Sequence, residues 1–343
     1  MLLSGDFGGT KTILALFKEN NNKLLLVCEE KFASNSISDP EKAVLSFLNK
    51  FSPNKNNITS ACFCFAGPIE NNSCHMVNLN LTINLEKLRN HLDFIPNVSF
   101  TNDLVALAKG IFELESDDLC MLNQETLNPD FASSTISFNL NSTQNIAVIA
   151  PGTGLGESLV LANGNIVPTE GGHCDFAPQT ELEIELWRFL KAKFEHVSYE
   201  RILCGPGIVN IYNFLRHYDF SHKEITSVNP LAAKMPEQLT PADITKKALA
   251  KSCPLCVQAL NIFVSILGSE SGNLALKSLS LDGVYLGGGI PPKILPKLLD
   301  GTFMKSFLAK GRFSPLMHKI PVYVILNERT PLLGAARFAA EKK

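Results

Sequence analysis

The chain has no excess of charge: 31 lysines and arginines stand against 33 aspartates and glutamates, a net of -2 at pH 7. That leaves no basic footprint for nucleic acid or an anionic membrane, so the expected partners are small molecules or other proteins. The N-terminus has neither a basic leader nor a long apolar core, and no apolar run is read as bilayer-spanning, which gives the expectation of a cytoplasmic protein without a membrane partner. No G-x-x-x-x-G-K-[ST] loop and no G-x-G-x-x-G fingerprint occurs, so a bound nucleotide has to be held in another way. Nine cysteines, an odd number, lie mostly in apolar segments and read as reduced core thiols rather than a disulfide framework. The one CxxC, Cys253 to Cys256, lacks two further ligands at zinc spacing, so no protein-ligated metal site is expected.

What is present is organised around the first dozen residues. At 343 residues with 45% hydrophobic composition, the chain has enough apolar material for two lobes. Met1-Leu2-Leu3 and Ile13 to Phe17 flank Gly5-Asp6-Phe7-Gly8-Gly9-Thr10, which reads as a hairpin with positive φ at Gly8-Gly9. Such a tip can aim backbone N–H groups and the Thr10 hydroxyl at a phosphate. A second unit repeats the pattern: Ile146 to Ala150 enter Pro151-Gly152-Thr153-Gly154-Leu155-Gly156, followed by Leu159 to Leu161. Gly287-Gly288-Gly289 follows a third buried strand, Gly283 to Leu286. The repetition suggests two related halves facing one ligand.

Between these turns the periodicity alternates strand and helix. Asp39-Pro40 starts a helix, Ala61 to Phe65 is a buried strand, Asn84 caps a short helix, and Val98 to Phe100 leads into Thr101-Asn102-Asp103 at a helix start. Residues 123–145, rich in Asn, Ser and Thr, read as a solvated or irregular stretch near the lobe boundary. A long apolar helix is expected over Leu255 to Leu276 and a closing helix over Leu332 to Glu341 that returns to the first lobe. Asp103, at a strand's carboxyl end, is either a general base or a helix cap. Asp6 either holds Mg²⁺ through water or bonds its own turn amides. Glu170 and His173, separated by two glycines, form an acceptor and donor pair suited to sugar hydroxyls. Glu200, by residue type alone, reads as a cap or a surface partner.

In these residues the chain resembles the bacterial glucokinase family of the hexokinase, Hsp70 and actin superfamily. The matching stretches are Gly5 to Thr10, Ala66-Gly67-Pro68-Ile69, Thr101-Asn102-Asp103, Gly152 to Gly156, Glu170 to Pro178, Glu200-Arg201 with Gly205-Pro206-Gly207, and Gly287 to Ile290. The resemblance implies a two-lobed α/β, actin-like (ribonuclease H-like) fold with a cleft between a small and a large domain. It implies residues 1–115 as the small domain, with a helix at about 328–343 packed back on it, and 116–327 as the large one. It implies phosphorylation of glucose at its 6-hydroxyl with ATP and Mg²⁺ in a homodimer. Asp103 matches the family's catalytic base, and Asn102, Asp103, Glu170, His173 and Glu200 its sugar-binding residues. Gly5, Asp6, Phe7, Gly8, Gly9 and Thr10 match the ATP phosphate loop, while Gly152, Thr153, Gly154, Gly287 and Gly288 belong to the nucleotide pocket.

Three departures stand out. Leu81 replaces the family's usual Trp; Glu157 replaces a small apolar residue and is expected near the phosphates or on the exposed strand face; Lys11 replaces a frequent Asn and either touches a phosphate or stays in solvent. The cysteine-rich zinc motif of the related repressor/ORF/kinase family is missing. Two other readings remain open: a kinase for another hexose or an N-acetylated amino sugar, and a sugar-sensing regulator that kept the fold without catalysis.

Overall fold

The computed structural model describes residues 1–52, 54, 57–76, 79–124, 144–219, 224–225 and 238–342. Most of the Asn/Ser/Thr-rich stretch, residues 125–143, lies outside the described residues. Two sheets dominate. The first has the order β3-β2-β1-β4-β8, formed by β1 (Leu2–Phe7), β2 (Lys11–Asn20), β3 (Lys23–Ala33), β4 (Ser60–Phe65) and β8 (Asn97–Asn102). Strands β5 (Ile69–Glu70), β6 (Ser73–Met76) and β7 (Leu81–Asn84) make a small sheet beside it. The second sheet has the order β12-β11-β10-β15-β16-β9. Its strands are β9 (Leu119–Met121), β10 (Ile146–Pro151), β11 (Leu155–Val160), β12 (Ile166–Thr169), β15 (Val284–Leu286) and β16 (Val322–Ile325), while β13 (Tyr218–Asp219) and β14 (Glu224–Ile225) form a separate ribbon.

The two sheets share one plan. In each, the first strand pairs antiparallel with the second and parallel with the fourth, and the fifth adds parallel beyond that. The internal repeat of strand, glycine turn and strand is therefore a repeat of topology as well. Strand β9 extends the second sheet by pairing antiparallel with β16.

Helix starts follow their side chains. Asp39 accepts the Lys42 N–H at 3.1 Å ahead of α1 (Pro40–Phe51), and Asn84 accepts the Lys87 N–H at 2.8 Å ahead of α2 (Leu85–His91). Helix α3 spans Asp103–Gly110. In the second lobe come α4 (Glu181–Lys191), α5 (Gly205–His217), α6 (Pro241–Leu249), where Thr240 and Asp243 close a capping box, and α7 (Pro254–Ser278). The short α8 (Leu295–Leu298), α9 (Thr302–Leu308) and α10 (Ser314–Met317) lead to β16 and to α11 (Thr330–Glu341).

Helix α7 corrects the expectation that no segment reaches bilayer length, because by length and composition it qualifies. Most of it is buried as the core helix of the second lobe, against Ile211, Tyr212, Phe303 and Phe307. The Cys253 thiol caps it, accepting the Cys256 N–H at 3.4 Å.

The site is positioned by what lies between the sheets. Helix α11 covers one face of the first sheet, where Leu332, Ala335, Ala336 and Ala339 meet Leu2, Ile13, Phe17 and Cys62. Helix α3 covers one face of the second, where Leu107, Ala108 and Ile111 meet Ile146, Val148 and Tyr285. The two helices touch backbone to backbone: a Cβ on Gly334 would strike the Ala106 carbonyl, and one on Gly110 the Thr330 carbonyl. The layers thus run sheet, α11, α3, sheet, and the N-terminus of α3 opens into the cleft. Arg337 of α11 ties this layer to both ends of the first lobe, donating to both Glu113 carboxylate oxygens at 2.6 and 2.9 Å and to Glu19 at 3.3 Å.

Candidate active site

The three glycine turns converge. The Thr10 hydroxyl of the first lobe lies 3.2 Å from the Thr153 hydroxyl of the second, joining the tips of the two hairpins across the cleft. The second turn closes on itself through Gly152 N–H to the Gly154 carbonyl at 2.8 Å, and the Gly152 carbonyl accepts the Gly205 N–H at 2.9 Å. The third turn packs beneath it. Gly288 has φ +79°, and its missing side chain leaves room for the Pro151 carbonyl oxygen, 2.5 Å from where a Cβ would stand.

In the first turn the reason for glycine differs from the one expected. Neither Gly8 nor Gly9 takes left-handed backbone; a Cβ on Gly8 would sit 2.8 Å from the Lys11 carbonyl oxygen, which accepts the Gly8 N–H at 3.1 Å. Gly5 lies inside β1, where it makes room for Phe63 and Leu14, and Phe7 stacks on Phe65 at 5.0 Å in the core. Lys11 is engaged by Glu328 at 2.6 Å, a carboxylate it shares with Lys31.

Carboxylates gather at the floor. Asp6 of β1, Cys64 of β4 and Thr101 of β8 stand in one row across the sheet, and Asp103 begins α3 two residues on. Asn102 is the N-cap: its side-chain oxygen accepts the N–H groups of Leu104 and Val105 at 2.8 and 3.4 Å, and its amide donates to the Gly67 carbonyl at 3.1 Å. The Asp103 carboxylate accepts the Leu104 N–H at 3.0 Å. Burial at the cleft floor first, and the Asp6 charge second, push the Asp103 carboxyl up to about 7, with Glu170 adding to the effect. Burial likewise raises Asp6 to about 6, opposed by the Cys64 thiol, which donates to it at 3.6 Å, and by Lys11.

Glu170, His173 and Glu200, the residues that the resemblance assigns to the sugar, come from the second lobe. Glu170 precedes and His173 ends the 171–173 turn, with Glu170 Oε2 and His173 Nε2 3.9 Å apart and both side chains exposed. Glu200 is nearby but not free, since its Oε2 accepts the Leu155 N–H at 2.9 Å and stands 2.5 Å from where a Cβ on Gly154 would be. It therefore braces the second glycine turn. His173 and Glu200 border a cavity of about 370 Å³ that is also lined by Ser198, Lys193, His196 and Arg201. Of these, Arg201 stands out in the sequence only within the matching stretch Glu200-Arg201, and Ser198, Lys193 and His196 do not, because no local pattern surrounds them. A second cavity, about 450 Å³, lies behind α3 among Cys62, Thr101, Lys109 and Phe338.

Glu157 overturns its expectation. It is 2% exposed and so not on an exposed strand face, because it and Leu155 project toward α7 while Gly156 between them faces Leu104 of α3. Leu81 packs against the first-lobe core. Among the described residues no three His, Cys, Asp or Glu side chains cluster as a metal site.

Two topologically matched lobes, glycine hairpins meeting across a cleft, and a raised carboxyl at its floor define the class of two-lobed, actin-like sugar kinases. The family model described as Glucokinase matches residues 3–342, and the chain belongs to that family. It is 40% identical to the glucokinase of Nostoc sp. over 99% of both chains. Its structure resembles that of the glucokinase from an Antarctic psychrotroph, with 27% identity, a TM-score of 0.79 and coverage of 99% of this chain and 98% of that one. A fold likeness at 17% identity, with a TM-score of 0.61 and 99% of both chains covered, extends to a ROK family glucokinase from Streptomyces griseus in complex with glucose and AMPPNP.

Proposed function

We propose the following division of labour for the ATP-dependent phosphorylation of glucose that this chain catalyses as a member of its family. Glucose lies over the second-lobe turn, held by Glu170, His173 and Glu200 with Asn102 and Asp103 below. The triphosphate of ATP lies where the turns of Gly8 to Thr10, Gly152 to Gly154 and Gly287-Gly288 meet; their backbone N–H groups and the two threonine hydroxyls suit phosphate oxygens. The Asp103 carboxylate takes the proton from the 6-hydroxyl as that oxygen attacks the γ-phosphorus and ADP departs. The observation that carries this reading is the raised carboxyl at the cleft floor beside a cap already supplied by Asn102. A base poised near neutrality is ionised at working pH and still takes a proton readily.

The site's chemistry also suits Mg²⁺. Asp6 offers a hard oxygen donor, and its proximity to Asp103 leaves two mutually repelling carboxylates that a cation would relieve. Bound there with the nucleotide, the ion would offset charge on the phosphate oxygens. Residues 1–115 with 328–343 as one closing body and 116–327 as the other, a homodimer, and a cytoplasmic setting belong to the same reading, supported by the family resemblance. The direct test is ADP production against a panel of hexoses. Glucose is expected to turn over well above mannose, fructose and N-acetylglucosamine, since an unmatched buried polar group costs about 1–3 kcal/mol; faster turnover of an amino sugar overturns the assignment.

A further inference from the structure

The face of β11 turned toward α7 carries a group that the chemistry above does not use. Glu157 is buried, and its Oε1 has no hydrogen-bond partner among the described residues. It lies directly under the sugar-side turn: a Cβ on Gly171 would stand 2.9 Å from the Glu157 carboxyl carbon, so the turn closes over this side chain because residue 171 is glycine. The neighbouring strand fixes the turn in the same place. Thr169, opposite Glu157 in β12, donates its hydroxyl to the Glu157 carbonyl at 3.0 Å and accepts the Gly171 N–H at 3.2 Å.

A second fully buried carboxyl, Glu270 of α7, lies within electrostatic reach. Its Oε2 accepts the Asn273 amide at 2.9 Å, and the Lys277 ammonium stands 3.6 Å from its Oε1. Asn273 donates in turn to the Tyr199 hydroxyl at 3.1 Å and accepts Lys310 at 2.7 Å. Tyr199 immediately precedes Glu200 in the 199–201 turn, so the hydrogen bonds of Glu270 reach the backbone that carries the other sugar residue, while Glu157 feels Glu270 through its charge. Lys277 pairs with Glu270 itself, and Lys310 is held by Ser269 and Asn273 on the same helix. Burial, then the Glu270 charge, push the Glu157 carboxyl up to about 8, with Lys277 opposing. An ionised Glu157 would need water or a donor that the closed turn does not admit.

We propose that Glu157 is a positioning residue for glucose recognition: as a neutral acid it supports the turn that carries Glu170 and His173, and its ionisation lifts that turn and weakens glucose binding. This rests on Glu170 and His173 being sugar ligands. The titratable groups that act on it are Glu270 and Lys277 from α7; Tyr199 and Lys310, after α9, act on Glu270, and Glu170 and His173 of the turn above it are exposed. Asp103 lies on α3, across the opposite face of β11, and acts on kcat.

The test is the KM for glucose at saturating ATP from pH 6.5 to 9.5, in the parent and in Glu157→Gln, which keeps the shape without the charge. The parent KM is expected to be flat up to about pH 8 and then to rise toward about tenfold per pH unit, with kcat unchanged over that limb. Glu157→Gln should hold the parent's neutral-pH KM throughout. Parallel rises in both proteins would assign the effect to another group, such as Lys310, and overturn the proposal, as would a flat parent. Glu157→Ala, which removes the support altogether, should raise the glucose KM several-fold at every pH while leaving the ATP KM in place; an unchanged glucose KM also overturns it. His173→Ala separates the two readings. If it leaves the glucose KM alone, the sugar-site reading fails; if it raises that KM while the Glu157 variants follow the parent, only the supporting role fails.

Discussion

Asp103→Asn tests the base with the least disturbance to its surroundings. The cap of α3 is Asn102, whose side chain takes two N–H groups, so the substitution leaves it in place. The Leu104 N–H that Asp103 accepts at 3.0 Å can be accepted equally by the Asn side-chain oxygen. What is lost is the ability to take a proton. General-base assistance is worth about 10²–10⁴-fold, so kcat should fall by that factor, about 3–5 kcal/mol of barrier, while calorimetric titration finds glucose binding nearly intact. Stability should move the other way. A folded carboxyl at about 7 against an ordinary 3.8 favours folding fully below pH 4, and that advantage over the ionised chain is lost as pH rises toward 7. The gap corresponds to at most about 4 kcal/mol, and water in the open cleft screens it to about 1–2 kcal/mol. The variant's Tm should therefore match the parent's near pH 4 and exceed it at pH 8. In the parent, kcat/KM should fall as pH drops through about 7, because the base must be unprotonated. A variant that binds glucose and turns over within a few-fold of the parent refutes the reasoning, and a Tm difference independent of pH refutes its electrostatic part.

Other outcomes follow from the same contacts. With His173 proposed as a sugar ligand, His173→Ala should raise the glucose KM and leave the ATP KM nearly unchanged in steady-state assays. Gly154→Ala forces the Glu200 carboxylate off the Leu155 N–H, so it should raise both KM values together, and a change confined to ATP would show that Glu200 does not link the two subsites. Arg337→Ala strands the mostly buried Glu113, which should cost about 3–5 kcal/mol in denaturant unfolding; a loss under 1 kcal/mol would mean the pair is dispensable.

The features legible in the sequence are those whose cause is local. The glycine hairpins, the caps at Asp39, Asn84 and Thr240, and the apolar course of α7 all depend on residues a few positions apart. Strand β9 escaped notice because three residues have no periodicity of their own and are fixed by β16, some two hundred positions later. The cap of α3 is Asn102 and not Asp103, which the sequence offered as base or cap, since both are good caps and only the direction of the chain entering the helix selects one. Glu157 was misplaced for the opposite reason. A charged residue next to a glycine turn reads as exposed, and its burial depends on Gly171 folding over it and on α7 covering that face of β11.

The backbone contact between α3 and α11 bears on how the enzyme comes into being on the ribosome. By the time α3 is translated, the base and the first glycine turn exist, and the other two turns follow before residue 290. Yet α11, which fills the space between the first sheet and α3, comes after every other element in chain order. Until Thr330–Glu341 emerge, Leu2, Ile13 and Phe17 have no cover on that face, and nothing locks Ala106 and Gly110 in place. A nascent chain halted short of that helix would lack the layer that holds α3 against the first sheet, so the floor of the cleft is completed by the last helix to be made.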